Sequence, residues 1–283
     1  MVPRLWALLL LFAACKSTGK EPGEGETFVH AAVPPAPSGE VVRTSRGAAF
    51  AEVLEDLAEA DVVYIAGRPG DPAHHEIQLV ILEYLAENGG DECRLHAIGL
   101  DIFERGSQAA LDDFVYGRIG EAEMLARTGI EQRSDVSFDP YRPVLALARA
   151  RRLPVLALGV EGGIRAAVAS GGLDALTPEQ RLRLPAISPT AADPGDLVRQ
   201  VEIEVAADVI VEWRRTAAPE NAQLVVLAAP ARVAPRAALP ERLFARTGKQ
   251  YRTVVARPER KEDADPRLSD RSYADYLWFT GGG

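Results

Sequence analysis

Apolar and polar residues follow one another along the chain in blocks. Predicted strands occupy 61–67, 93–103, 153–159, 222–229, 251–256 and 275–280, and most of them are continuous apolar runs. Runs of this kind are typical of buried strands in a parallel sheet, which helices cover on both faces. Stretches with helical apolar spacing lie between them, for example at 46–60 and 72–88. This alternation predicts an α/β fold with a mostly parallel central sheet flanked by helices.

Two longer intervals, 104–152 and 160–221, are mostly helical in pattern and predict a smaller helical subdomain. In open α/β sheets, ligands bind beyond the carboxyl ends of the strands. The informative segments are therefore those that directly follow predicted strands, namely 66–75, 101–105, 159–165 and 229–236.

The N-terminus has the pattern of a bacterial lipoprotein signal peptide over residues 1–15. Arg4 supplies a positive start, and 5–12 (LWALLLLF) is apolar but too short to cross a bilayer as a permanent anchor. The segment ends in a lipobox, Phe-Ala-Ala-Cys, in which Phe12 stands where Leu is usual. Lipidation of Cys15 would anchor the protein to a membrane that no helix of its own spans. An ordinary secretory signal with an incidental cysteine is the alternative.

The residues after the lipobox predict a tether and then a folded domain. Lys16, next to the cysteine, resembles lipoproteins sent to the outer membrane, so we expect a location in the bacterial cell envelope. Segment 16–41 is rich in Gly, Pro and Glu and predicts a flexible tether. Residues 42–283 then form the α/β domain.

Charge and cysteine content exclude several classes of protein. The formal charge is −9, and removal of residues 1–14 takes away Arg4 and no acid, which leaves −10. An acidic chain without a basic run is a poor binder of nucleic acid. Lipidation of Cys15 leaves Cys93 alone, so the sequence offers neither an internal disulfide nor a cysteine metal cluster.

The segment after the first buried strand contains the clearest candidate ligand-binding residues. Asp71 precedes Pro72 at the start of a helical run, where aspartate can cap the free N–H groups. His74 and His75 then lie in the first turn, where the helix dipole favours neutral imidazole. Adjacent helical residues point about 100° apart, so one ion could hardly bind both. A purely structural role for either histidine is equally compatible with the sequence.

Three more candidates follow the second strand, and a fourth begins a later helix. Asp101, Glu104 and Arg105 stand in GLDIFERGSQ, where the acids could orient a histidine or hold water. An ion-pair network that fixes the turn is the structural alternative. Tyr141 could bind ferric haem as tyrosinate, although a lone tyrosine is more often a packing residue.

Several of these segments together resemble the ChaN family of haem-binding lipoproteins, within the wider Tiki-like group. The resemblance rests on VVYIAGRPGDPAHHEIQLVILEYLAE, GLDIFERGSQAALDDF, YRPVLALARARRLPVLALG, IRAAVASGGLDALTPEQRLRLP, VVLAAPARVAPRAALPERL and ADYLWFT, in family order over about 45–280. It implies a parallel sheet flanked by helices, a smaller helical part, and haem or metal binding at the edge of the sheet.

The sequence departs from the family pattern at two strand ends. The family's Gly-Glu-x-His-Asp is replaced by residues that include Gly67 and Pro69, and its Gly-x-Gly-His after the fourth strand is lost. Arg232 stands there instead, and a permanent cation repels a metal ion but suits an anion such as a haem propionate. The resemblance with these losses implies that the ancestral metal centre is gone, so no metal ligand is assigned.

Three functions remain open from the sequence. The first is a haem-binding or haem-uptake lipoprotein with an altered pocket. A homodimer in which two subunits share haem would suit the family, but the sequence carries no sign of it. The second is a degenerate member that binds no metal and serves as an envelope scaffold or binds an anionic small molecule. The third is a hydrolase. Such chemistry needs a metal-activated water or a histidine base, and the sequence disfavours it because two of the expected motif groups are absent.

Overall fold

An eight-stranded sheet forms the centre of the computed structural model, which describes residues 33–280 except 38–39, 44–45, 48, 88–94, 134–136, 189, 191–192, 236–237 and 258–272. The strands are β1 (Glu40–Arg43), β2 (Arg46–Gly47), β3 (Val62–Ala66), β4 (Leu95–Glu104), β5 (Val155–Gly159), β6 (Gln223–Ala228), β7 (Tyr251–Arg257) and β8 (Tyr276–Phe279). Their order is β2-β1-β8-β7-β3-β6-β4-β5. Strands β3 to β8 pair in parallel, and only β1 and β2 are antiparallel. The predicted α/β class and mostly parallel sheet are confirmed.

Ten α-helices connect and cover the strands. They are α1 (Phe50–Glu59), α2 (Pro72–Glu87), α3 (Gln108–Val115), α4 (Glu121–Thr128), α5 (Arg142–Arg151), α6 (Gly162–Gly171), α7 (Pro178–Leu182), α8 (Pro194–Thr216), α9 (Pro230–Val233) and α10 (Leu239–Thr247), counted over the described residues. None of the helices in that part of the chain has the length and apolar character needed to cross a membrane.

The two faces of the sheet explain why the strands read as continuous apolar runs. Alternate residues of a strand point to opposite faces. In β3, Val63 and Ile65 pack with helices α1 to α5, whereas Val62, Tyr64 and Ala66 pack with α8 to α10. All five side chains are buried, and full burial of an aliphatic side chain contributes about 1.5–3 kcal/mol. A polar residue on either face would therefore cost stability.

The helical insertions divide between the sheet and a smaller cluster. Helices α3 to α5, from the interval 104–152, pack directly into the core of the sheet. In the interval 160–221, Ile164 and Val168 of α6 pack with Val201 of α8 in a separate apolar cluster. The smaller helical part is therefore centred on α6 and the first half of α8.

The N-terminal expectations lie mostly outside the described residues. Cys15 and the signal peptide are not among them, nor is Cys93. Glu40 and Val41, the last residues of the predicted tether, belong to β1, which pairs with β8. The ordered edge of the sheet thus begins inside the segment expected to be a tether.

Strand order brings the candidate segments together. Strand β6 lies between β3 and β4, although it follows both in the sequence. Because the three strands are parallel, the segments after β3 and β6 emerge at one edge of the sheet, beside the carboxyl end of β4.

Candidate functional site

Asp101 and Arg232 meet at the carboxyl edge of the sheet. Asp101 lies near the end of β4, and its Oδ2 accepts a hydrogen bond from the backbone N–H of Ala229, 2.8 Å away, directly after β6. The same oxygen accepts from Nη1 of Arg232 in α9. The loops after two neighbouring strands are thus joined through one carboxylate.

A second carboxylate, that of Glu202, also forms an ion pair with Arg232. Glu202 of α8 accepts from Nη2 at 2.9 Å and from Nε at 3.3 Å. The side chains of Arg232, Glu202 and Asp101 are 15%, 14% and 7% exposed, so water covers little of this network. Burial disfavours the charge of Arg232, but Asp101 and Glu202 outweigh it and raise the pKa of the guanidinium.

The backbone of β4 is shaped to present Asp101. The pairing of β4 with β5 shifts register between Leu100 and Glu104, which is an irregularity of the kind that redirects side chains at strand ends. Gly159 of β5 faces this point, and a Cβ there would lie 2.7 Å from the carbonyl oxygens of Asp101 and Phe103. Only glycine allows such a close approach without displacing the backbone.

The two histidines stabilise the turn between β3 and α2 by accepting hydrogen bonds from its backbone. Nδ1 of His74 accepts from the backbone N–H of Arg68 at 2.9 Å, and Nε2 of His75 accepts from that of Gly70 at 3.3 Å. Asp71 caps the helix, because its Oδ1 accepts from the N–H groups of Ala73 and His74. The predicted capping role of this aspartate is therefore observed.

These contacts assign the tautomer of each neutral imidazole. A nitrogen that accepts from a backbone N–H carries no proton, so the proton of His74 is on Nε2, 3.4 Å from Oδ2 of Asp71. The proton of His75 is on Nδ1, which donates to Oε1 of Gln78 at 3.0 Å. Burial lowers the pKa of both histidines. Both rings are therefore neutral at pH 7.

Gly67 lets the helix approach the end of β3. A Cβ at this position would lie 3.0 Å from Cβ of His74 and 3.1 Å from Nε2 of Gln78. Gln78 in turn donates to the carbonyl oxygen of Ile65 at 3.2 Å. Gly67 therefore has a packing role.

Tyr141 packs against His75 and lies within electrostatic range of the ion pair. Its ring lies edge-to-face with that of His75, with centroids 4.8 Å apart. Burial raises the pKa of the phenol, and the charge of Asp101 raises it further while that of Arg232 lowers it. Tyr141 therefore keeps its proton at neutral pH.

Glu104 and Arg105 contact another part of the molecule. Oε1 of Glu104 accepts from the N–H of Gly162 at 3.0 Å, at the start of α6. Nη1 of Arg105 lies 3.4 Å from Asp208 of α8 and 3.4 Å from the carbonyl oxygen of Arg183. These two residues therefore join the end of β4 to α6 and α8.

Sequence reasoning missed two members of this edge. Gln78 had a readable signal, because it continues the helical stripe of His74 and Ile81 as a polar residue among apolar ones. Glu202 had none, since it is one of several acids in a long helix and reaches Arg232 only through the fold.

The residues present do not fit a haem with an axial ligand from this edge. Iron would need the lone pair of an imidazole or an ionised phenol. The lone pairs of His74 and His75 accept backbone N–H groups, and Tyr141 is a protonated phenol. Within the described parts of the chain, no group of three or more His, Cys, Asp or Glu residues is placed to hold a metal ion.

Arg68 is an exposed cation at the same edge. It lies in the turn braced by the histidines, and its guanidinium has no hydrogen-bonding or ion-pair partner among the residues that the structure describes. Arg232, by contrast, has both of its carboxylates within the protein.

Comparison with known proteins identifies a family and a fold. The family model described as haem-binding uptake, Tiki superfamily, ChaN, matches residues 53–227. A solved structure of cofacial haem binding to ChaN of Campylobacter jejuni is similar with a TM-score of 0.65 and 15% identity, over 86% of this chain and 97% of that one. Erythromycin esterase EreC has a TM-score of 0.49 at 13% identity, over 86% and 82% of the two chains. No curated protein matches the sequence.

Proposed function

Because the chain belongs to the ChaN family of haem-binding uptake proteins in the Tiki superfamily, we propose that it is a haem-handling lipoprotein of the bacterial cell envelope with an altered pocket. The family match carries this proposal, since it extends from α1 to β6 and includes the segments after β3 and β4. The carboxyl edge of the sheet is also where ligands bind in open α/β folds.

In this proposal the protein binds haem by contacting the propionate carboxylates and the flat apolar faces of the haem. Arg68 is the group that would pair with a propionate, because its guanidinium is exposed and lacks an acceptor among the described residues. The iron receives no ligand from His74 or His75, whose unprotonated nitrogens accept backbone N–H groups, or from Tyr141, which is a protonated phenol. When bound, haem would supply its own iron chemistry, and the protein's part is to hold and shield it.

Membrane attachment through a lipid on Cys15 would place the domain at the outer membrane, and two copies could share haem as a homodimer. Both ideas rest on the lipobox and on the family resemblance. Both belong to the proposal, and membrane attachment is tested below.

A second candidate function is that of a family member without metal, which acts as an envelope scaffold or binds an anionic small molecule. One observation favours it: one ring nitrogen of each histidine accepts a backbone N–H group, and Arg232 is neutralised by two carboxylates of the protein. Arg68 would then receive a carboxylate other than that of haem. Hydrolase activity through a histidine base gains no support at this edge, because the unprotonated nitrogens of His74 and His75 accept backbone N–H groups.

A titration of residues 16–283 with hemin, followed by Soret absorbance, tests the first function against the second. We expect saturable binding that Arg68→Gln weakens by about 2- to 5-fold, since an exposed ion pair contributes about 0.5–1 kcal/mol. Arg215→Gln, an exposed arginine at the end of α8, is the matched control and should bind as the wild type does.

Two results would count against this assignment. The absence of any Soret change would remove haem and leave the second function. Loss of a ligated spectrum in Tyr141→Phe or His75→Gln would show that the edge supplies an iron ligand after all.

A further inference from the structure

The network of Arg232, Asp101 and Glu202 has the organisation of an occupied cation site. Its three members come from three separate elements, namely β4, α8 and α9. Both carboxylates direct their oxygens at the same guanidinium, Asp101 at Nη1 and Glu202 at Nη2 and Nε. The two carboxylates therefore neutralise one guanidinium, each through different nitrogens of the group.

We infer that Arg232 is the built-in cation of a two-carboxylate site, and that its guanidinium occupies the position at which Asp101 and Glu202 would otherwise hold a divalent metal ion. The inference concerns metal ions only and does not depend on whether the protein binds haem.

The electrostatics of the network require a cation at this centre. Two carboxylates that are 7% and 14% exposed repel each other in a medium that screens charge poorly. Leaving either one without a counter-charge is strongly destabilising, because a buried charge has then lost its water without a replacement. The N–H of Ala229 helps Asp101 but carries no full charge.

The chemistry of the donors defines which ion could replace the guanidinium. Two carboxylates are hard oxygen ligands of the kind that suit Mg²⁺ or Mn²⁺, with water filling the remaining positions. The site offers neither thiolate nor a free imidazole, which would favour zinc or copper. A hard divalent cation is therefore the matching class.

The position of Arg232 excludes such an ion from the wild-type protein. A metal would have to displace a guanidinium whose pKa is raised by the same two carboxylates. Two like-charged cations cannot share one centre in a largely buried site. The unfolding temperature of the wild type should therefore change neither with added metal nor with a chelator.

Removal of the guanidinium should turn the protein into a metal binder. Thermal unfolding of Arg232→Ala is measured with and without millimolar Mn²⁺, and the electron paramagnetic resonance signal of free Mn²⁺ gives the bound fraction. We expect Arg232→Ala to unfold at a lower temperature than the wild type and to regain several degrees with Mn²⁺, because a ligand that binds only the folded state stabilises it.

Three controls make the outcome specific. The wild type and Arg232→Lys, which keeps a cation at the centre, should show no Mn²⁺-dependent shift. Arg232→Ala combined with Asp101→Asn should lose the rescue, because one ligand has been neutralised. If Arg232→Ala does not fold without metal, the same measurements use Arg232→Met, which restores volume, and refolding in Mn²⁺.

Several outcomes would overturn the inference. These are Mn²⁺ binding by the wild type, the absence of binding in both Arg232→Ala and Arg232→Met, and binding that survives Asp101→Asn. Failure of both variants to fold in the presence of Mn²⁺ would also overturn it, since a divalent ion could then not replace the guanidinium. A hemin titration of the wild type is unaffected by any of these results.

Discussion

At the scale of single residues, His74 and His75 show how one side chain can suggest two roles. Their neutral state was predicted from the helix start, and burial lowers the pKa of both in the structure. Their partners were not predicted, because the backbone N–H groups of Arg68 and Gly70 come into reach only when the turn folds back over the helix. The imidazoles act as hydrogen-bond acceptors for the turn.

The histidine pair makes stability depend on pH. In the unfolded chain an imidazole has a pKa near 6.5. In the folded protein burial lowers the pKa of both histidines. Below about pH 6.5 the unfolded chain therefore binds more protons than the folded protein does. The contribution of the pair is thus present above that pH and is lost as the pH falls towards the folded values, with a slope of at most about 1.4 kcal/mol per pH unit for each histidine. Urea unfolding across this range measures it.

Matched variants separate the histidines from the carboxylates that also titrate. In His74→Asn combined with His75→Gln, amide oxygens can replace Nδ1 and Nε2 as acceptors but take up no proton. We expect this double variant to have a flatter pH profile than the wild type between about pH 7 and 5. An identical slope in the two proteins would contradict the assignment of the effect to the histidines.

At the scale of elements, the edge strand β5 depends on a side chain of α3. Nε2 of Gln108 donates to the carbonyl oxygen of Val155 at 2.8 Å, and its Oε1 accepts from the N–H of Ala157 at 2.9 Å. The amide therefore pairs with the strand as a neighbouring strand would. Exposed edge groups are a liability that proteins cover in several ways, and here one glutamine covers part of the edge.

Substitution of Gln108 should expose that edge. Gln108→Met keeps the length of the side chain but neither hydrogen bond, and we expect a loss of about 1–3 kcal/mol in the free energy of unfolding, because two backbone groups lose their partner. Gln108→Ala should be destabilised at least as much. Urea unfolding measures the loss, and size-exclusion chromatography detects association through β5.

The comparison between the two variants decides the cause. If Gln108→Met keeps wild-type stability while Gln108→Ala loses it, packing is responsible and the pairing role of the amide is wrong. Equal losses identify the hydrogen bonds.

At the scale of the whole molecule, strand order decides which segments meet. The chain visits β3, β4 and β5 before it returns to place β6 between β3 and β4. That return brings Ala229 and Arg232 to Asp101, which is 131 residues from Arg232 in the sequence. The helix α8, which precedes β6, brings Glu202 to the same point.

Membrane attachment also belongs to this scale and stays a prediction. We expect the full-length protein to fractionate with membranes and to incorporate labelled palmitate, and Cys15→Ser to lose both properties, because the lipid is the proposed anchor. Cys93→Ser is the matched control and should remain attached. A wild-type protein found free in the soluble envelope fraction would favour the ordinary secretory signal.

The sequence by itself determined the class of fold and most strand and helix positions, because burial on both faces leaves a continuous apolar signal in each strand. It also determined the cap at Asp71 and the neutrality of the histidines, which depend on neighbours within one helical turn. It did not determine that Arg232 is neutralised by Asp101 and Glu202, or that Glu104 and Arg105 hold the helical part. Those pairings join residues far apart in the chain, and only the tertiary structure brings them within the few ångströms over which hydrogen bonds and ion pairs act.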